Sequence, residues 1–195
     1  MSVLCGAMGD MSLNREHPYN HAVGLAMGRV IGRTGLRPPT ILAVAEEANT
    51  GSATLHRWFG GKQKVMPHAA AGFAGVFWSV TTRRINGLGW TGFLPSTEDD
   101  VIWVRAWLGF EELARSDDAV AEHVAEVWHD LESWFRRRVG RDLSDMESAR
   151  LAVTLRGLWM SLTSSPPLDA TLAQQLWAES FADLADDAGS GGAAA

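Results

Sequence analysis

Only one cysteine, Cys5, occurs in the 195 residues. It can form neither an intrachain disulfide nor a cysteine-based zinc site, and it fits a reducing compartment, so a cytoplasmic location is expected. No apolar run approaches the ~20 residues needed to cross a membrane, and no membrane partner is expected. The N-terminal stretch MSVLCGAMGDMSLNREHPYN has no basic segment followed by a sustained apolar one, so no signal peptide is expected. Strand signals are nearly absent: no alternating apolar run is bounded by hairpin turns. No Ser/His/Asp or Cys/His set has supporting context, so no catalytic residue is assigned and no enzyme is expected. There is no internal repeat.

Basic residues are outnumbered, 17 against 23 acidic, for a net charge of −6. The excess is uneven. Residues 1–66 hold seven Arg/Lys and four Asp/Glu, giving +3, whereas residues 67–195 hold ten and nineteen, giving −9. A mildly basic head on an acidic body fits a head that touches a polyanion and a body that does not, although chance unevenness is the plainer reading.

Helical spacing is frequent. Val23, Ala26, Met27, Val30 and Ile31 make one apolar stripe, with Pro18 suited to the helix start and Gly35 to its end. Gly24, Gly28 and Gly32 each weaken that helix by ~1 kcal/mol against Ala, and allow close packing. Thr40 can cap a second helix whose inner face is Ile41, Val44 and Ala45. Asn49 tolerates the left-handed conformation that a sharp turn needs. A third helix begins near Gly51 and ends at Gly60-Gly61, with Leu55 and Phe59 on its inner side. Three short helices with a tight turn between the second and third form a helix-turn-helix unit.

The expected architecture is all-α. It comprises a flexible arm (1–17), a helix-turn-helix domain (18–66), a helical body (67–187) and a disordered tail (188–195). In the body, a helix over about 62–86 is expected, kinked or delayed by Pro67. A loop over 85–97 follows, then a helix capped by Ser96 or Thr97. The segment from SDD at 116–118 to about Arg138 reads as one helix or two. A capping box at Ser144 and Glu147 opens a helix to about Leu162, and Asp169 caps a last helix to about Ala185.

The stretch TGSATLHRWFGGK, Thr50 to Lys62, is light in front and heavy behind. A recognition helix inserts its N-terminal end into the major groove, where small residues let the backbone approach the base edges. Ser52 and Thr54 can meet bases or phosphates, with Gly51 and Ala53 leaving room. His56, Arg57 and Trp58 lie where flanking phosphates pass, and Lys62 adds a point charge. With Thr40 and Thr50, these are the expected DNA-contacting residues.

The segment TILAVAEEANTGSATLHRWFGGK, preceded by GLRPP, resembles the N-terminal domain of the TetR family of bacterial transcriptional regulators. Gly35, Thr40, Val44, Ala45, Glu47, Ala48, Thr54, Leu55, Phe59 and Lys62 match the family pattern, over about residues 20–66. Asn49 stands for the usual turn glycine, and Thr50-Gly51 for Val-Ser, so the usual serine cap is lost or moved. His56 stands for a phosphate-binding tyrosine. The resemblance implies a homodimer on a double-stranded, palindromic DNA operator, a repressor released by a small-molecule effector held in the body. It also implies that the last two helices pair with those of a partner; their apolar positions include Leu151, Leu155, Leu158, Leu162, Leu172, Leu176 and Phe181. The alternative is a helical ligand-binding or enzymatic domain that has lost DNA binding, for which Gly51 and His56 speak.

Eight of the nine tryptophans lie outside the head. An apolar effector pocket lined by Phe73, Phe77, Trp103, Trp107, Phe110, Trp128 and Trp159 would account for them, as would ordinary core and dimer packing. GLGWTG at 87–92 has the Gly-x-Gly-x-x-Gly spacing, but a dinucleotide site needs a strand before it and a helix directly after. Glu126 and His129 have a metal-type spacing with no second pair. No cofactor and no metal are therefore expected, and His123 and His129 read as surface, satisfied or pocket-lining histidines. RRRVGR at 136–141 reads as a solvated helix end suited to the dipole, or else as an anion contact.

Overall fold

The computed structural model describes residues 19–35, 39–138 and 143–190, the side chains of 138 and 182–190 excepted. The expected arm (1–17), Pro18, Pro38 and the end of the tail (191–195) lie outside the described residues, as does much of the 136–141 basic run. The described residues form eight α-helices, one 3-10 helix and no strand. The helices are α1 (Asn20–Thr34), α2 (Ile41–Glu47), α3 (Ser52–Trp58), α4 (Lys62–Leu88), α5 (Glu98–Leu113), α6 (Asp118–Arg138), α7 (Asp145–Leu162) and α8 (Ala170–Ser190).

Local chemistry sets most of the helix starts. The Thr40 hydroxyl accepts from the Ala43 N–H at 3.1 Å. Thr97 with Asp100, and Ser144 with Glu147, form full capping boxes at the starts of α5 and α7. Asp117 accepts from the Ala119 and Val120 N–H groups and starts α6, which runs as one helix to Arg138. Asp169 caps α8 through Leu172 N–H at 2.9 Å. That helix continues past its expected end near Ala185 to Ser190. Pro67 does not delay α4; so near the helix start it removes a single backbone bond.

The expected loop at 85–97 is a correction. Helix α4 continues to Leu88, and Gly89–Phe93 is a 3-10 helix. Gly89, at φ 64°, ends α4 by donating to Ile85 O. Arg84 then holds the segment against the helix: its Nε donates to Gly92 O at 3.0 Å and its Nη2 to Leu94 O at 2.6 Å. Its guanidinium also pairs with Asp100 at the start of α5. Burial alone would raise the Asp100 pKa. The hydrogen bonds from Arg84, the Ser96 N–H and Thr97, with the Arg84 charge, bring it instead to about 2.

Helix α1 packs on the body as well as on the head, and its glycines explain how. A Cβ added at Gly24 would lie 2.3 Å from backbone atoms of Gly72 and Phe73. One at Gly28 would lie 2.5 Å from the Phe73 ring and 2.9 Å from Trp103, and one at Gly32 would lie 2.7 Å from Ile102. The glycines that weaken α1 by propensity are thus the seat on which α4 and α5 lie.

The outward face of the last two helices also differs from expectation. Leu151, Leu155, Leu158 and Leu162 are buried in the protomer's own core. The residues left exposed are Met146, Val153 and Met160, seven apart in one line along α7, with Leu172 and Leu176 on α8. Both faces of α7 carry apolar residues, so periodicity alone could not say which one the body covers.

Candidate nucleic-acid interface and effector site

The turn between α2 and α3 is closed by backbone geometry. Asn49 sits at φ 53°, and Thr50 N–H reaches back to Ala45 O at 2.9 Å. Helix α3 then starts at Gly51 with no side-chain cap, so the family's serine cap is absent here. Leu55 and Phe59 are buried and fix α3 to the core, leaving Gly51, Ala53 and Arg57 exposed and Ser52, Thr54 and Thr50 half-buried. Thr40 and Lys62 are exposed at the neighbouring helix starts. The ten expected DNA-contacting residues thus all lie on α3, its turn and the two adjoining helix starts.

Two of them are engaged inside the head. The Trp58 ring stacks on Tyr19 at 3.9 Å and 9°. His56 is half-buried, and its Nε2 is out of solvent with no hydrogen-bond partner, so that nitrogen does not face a phosphate in this conformation. Glu47 draws Arg29 and Arg33 into ion pairs. Arg57, Lys62 and Lys64 form no ion pair among the described residues, so the cations beside α3 stay available to an outside anion.

In the body, all seven expected effector residues join into one cluster. Phe77 stacks on Trp107 at 4.4 Å, Phe73 lies 5.2 Å from Phe110 and 6.0 Å from Trp103, and Trp159 lies 5.7 Å from Phe77 and 5.9 Å from Trp128. The cluster is tightly packed. Beside it is a cavity of about 20 Å³, bounded by Phe77, Arg84, Asp100, Trp103 and Trp159, room for about one water. An effector would have to open this packing.

Sequence reading missed Glu111. Its side chain is 4% exposed, and three helices meet on it. Trp107 Nε1 of α5 donates to Oε1 at 3.0 Å, Trp128 Nε1 of α6 donates to the same oxygen at 2.7 Å, and Arg156 Nη2 of α7 reaches Oε2 at 2.8 Å. Burial pushes the Glu111 carboxyl up from its ordinary value, against the Arg156 charge and the indole hydrogen bonds. The available signal was Glu111 four residues after Trp107, on the same helix face.

A second aromatic cluster was also missed: Trp90, Phe93, Trp134, Phe135, Trp177 and Phe181. Phe135 lies 5.4 Å from Phe93 and 6.0 Å from Trp177, and Trp90 lies 3.6 Å from Phe181. Here Trp177 Nε1 donates to the Trp90 carbonyl at 2.9 Å.

His123 pairs with Glu126 at 3.2 Å, and His129 is exposed. No group of three or more metal-ligating side chains occurs among the described residues. Arg136 ties α6 to α7 through Ser148 and Asp145. No helix among the described residues is long and apolar enough to cross a membrane.

Solved structures decide the fold. A protein from Rhodococcus sp. described as a TetR-family transcriptional regulator superposes with a TM-score of 0.67 at 16% identity, over 84% of this chain and 97% of that one. The chain has the TetR-type fold. A transcriptional regulator from Rhodococcus sp. Rha1 matches at a TM-score of 0.69 and 15% identity, over 84% of this chain and 94% of that one. A protein from Pseudomonas aeruginosa PAO1, described as a transcriptional regulator, matches at 0.65 and 15%, over 90% and 95%. No family model and no curated protein matches the sequence. At these identities the likeness concerns the fold alone, which in this chain has eight α-helices among the described residues.

Proposed function

We propose that the chain is a DNA-binding transcriptional regulator of the TetR type and not an enzyme, a homodimeric repressor that a small, largely apolar effector releases from a palindromic operator. The observation that carries this reading is the third helix: small residues at its front, Gly51 and Ala53 exposed, and Arg57, Lys62 and Lys64 with no ion pair among the described residues, in a chain of net charge −6. The expected contacts divide accordingly, with Gly51, Ser52, Ala53 and Thr54 toward base edges and Thr40, Arg57 and Lys62 toward phosphates.

The dimer face of this reading is the line of Met146, Val153 and Met160 with Leu172 and Leu176. The effector site is the cluster of Phe73, Phe77, Trp103, Trp107, Phe110, Trp128 and Trp159. An effector releases DNA only by preferring the arrangement whose heads are wrongly spaced; equal affinity for both arrangements shifts nothing.

Footprinting on DNA from beside its own gene tests the reading. Two protected half-sites are expected, about one helical turn apart or a multiple of it. Lys62→Ala should weaken all DNAs alike and flatten the salt dependence by about one unit per head. An absence of protected DNA would leave the helical binding domain that the Gly51 and His56 departures suggest. For the dimer, Val153→Glu with Leu176→Glu should give monomers in sedimentation, because each would place an unpaired charge in the contact.

A further inference from the structure

Glu111 is a carboxylate buried at the edge of an aromatic cluster, and one of its three partners can leave. Trp107 is wholly buried, and its indole is fixed. The Trp128 indole is half-buried. Arg156, by contrast, is 45% exposed, and its long side chain can swing into solvent without moving a helix. Its departure would bare Glu111 Oε2 near the Trp128 indole, whose ring centroid lies 5.9 Å from that of Trp159.

What could take the vacated place follows from charge. A neutral apolar molecule gives Arg156 no reason to leave, since Glu111 would remain buried and unpaired. An anion could draw Arg156 away, but it would face the Glu111 carboxylate and leave that charge orphaned. A planar organic cation does neither. Its N–H fork replaces the guanidinium on Oε2, its charge keeps the carboxylate paired, and its flat body lies on indole faces that attract cations.

We infer that Glu111, with Trp107, Trp128 and Trp159, is a binding site for a flat aromatic cation of the amidinium or guanidinium type, which displaces Arg156. The inference rests on the reading of the body as an effector site, and it gives that largely apolar effector a single positive group. Arg156 is then a stand-in for the ligand, holding the carboxylate until the ligand arrives.

The test uses three compounds with one ring and three charges: benzamidinium, benzamide and benzoate. Each is titrated into the full-length protein, without DNA, while tryptophan emission and Tm are followed. Benzamidinium should change the emission saturably and raise Tm, and should bind at least about tenfold more tightly than the other two. Arg156→Ala vacates the place in advance, so it should bind benzamidinium about tenfold more tightly than the parent and recover Tm on adding it. Glu111→Gln keeps an oxygen for both indoles and removes the charge, so it should lose the discrimination.

Equal responses to all three compounds would overturn the inference. So would a benzamidinium response that survives in Glu111→Gln. If that variant does not fold, Arg156→Ala decides: no gain in benzamidinium affinity means that the cluster is a structural tie only. Operator binding is measured separately in compound-free gel shifts, so failure here leaves the regulator reading standing, and failure there leaves this one.

Discussion

Trp107 and Trp177 are both wholly buried indoles, yet their ring N–H groups end on different kinds of acceptor. Trp177 donates to a backbone carbonyl, that of Trp90, which has nowhere to go. Trp107 donates to a side-chain carboxylate that it shares with Trp128 and with an arginine at the surface. The two aromatic clusters use the same residue types, but only the first holds an exchangeable charge. The first also touches α1 of the head, through the seat at Gly28. Aromatic content alone therefore does not mark a functional centre; the polar partners of the rings do.

The largest expected effect lies in the second cluster. Phe135→Ala removes a wholly buried ring that touches Trp90, Phe93, Trp134, Trp177 and Phe181, and should cost about 3–5 kcal/mol in urea unfolding. At a temperature where the variant is folded, its operator affinity should match the parent's. A loss of affinity would erase the contrast between the clusters.

A smaller change in the first cluster should reach the head. Gly28→Ala presses a methyl into Phe73 and Trp103, which are held by their neighbours. Overpacking of about 1–3 kcal/mol is partly offset by about 1 kcal/mol of better helix propensity. The net stability loss should be modest, while operator affinity changes measurably in gel shifts.

Acid separates two carboxylates of the body, half-buried Asp100 and buried Glu111, by sign. Asp100 is held down at about 2, so its contribution is present above the ordinary carboxylate range and is lost as pH falls through 3.8 toward 2. Glu111 is held up, so the folded state keeps its proton where the unfolded chain has lost it, and stability falls as pH rises above 4.5. In denaturation across pH, Glu111→Gln should remove the second slope and Asp100→Asn the first. Identical slopes in both variants would put the asymmetry elsewhere. The smallest effect is a control outside both clusters: Gly87→Ala meets nothing within 4 Å and should raise stability by up to about 1 kcal/mol, with no effect on DNA binding.

What could be read from the sequence was short-range. The Thr40 cap, the Asn49 turn, a cap at Ser96 or Thr97, the box at Ser144 and the inner face of Leu55 and Phe59 each depend on residues within one or two turns. Glu111 was not readable as a centre, because Trp128 lies 17 residues away on another helix and Arg156 on a third. Trp90 was hidden by a stretch of glycines that reads as loop, although Arg84 and Gly92 fasten it to α4. Leu155 and Val153 show the same limit: both are apolar and on one helix, and only the packing of the body says which side is inside.

The crossing of α1 over α4 bears on how this chain can vary. A methyl at Gly72 would sit 1.9 Å from Asn20 O, and one at Gly24 would sit 2.3 Å from Gly72 itself. Neither clash is with a side chain that could turn aside, and enlarging one position leaves the other equally closed. No first step toward a larger residue is open at either site; the helices would have to move apart as a unit. In a saturation library selected for operator binding, positions 24 and 72 should accept almost nothing but glycine, while Gly51, with only the Thr54 hydroxyl 3.9 Å from an added methyl, accepts replacements that keep the fold and alter the DNA it prefers.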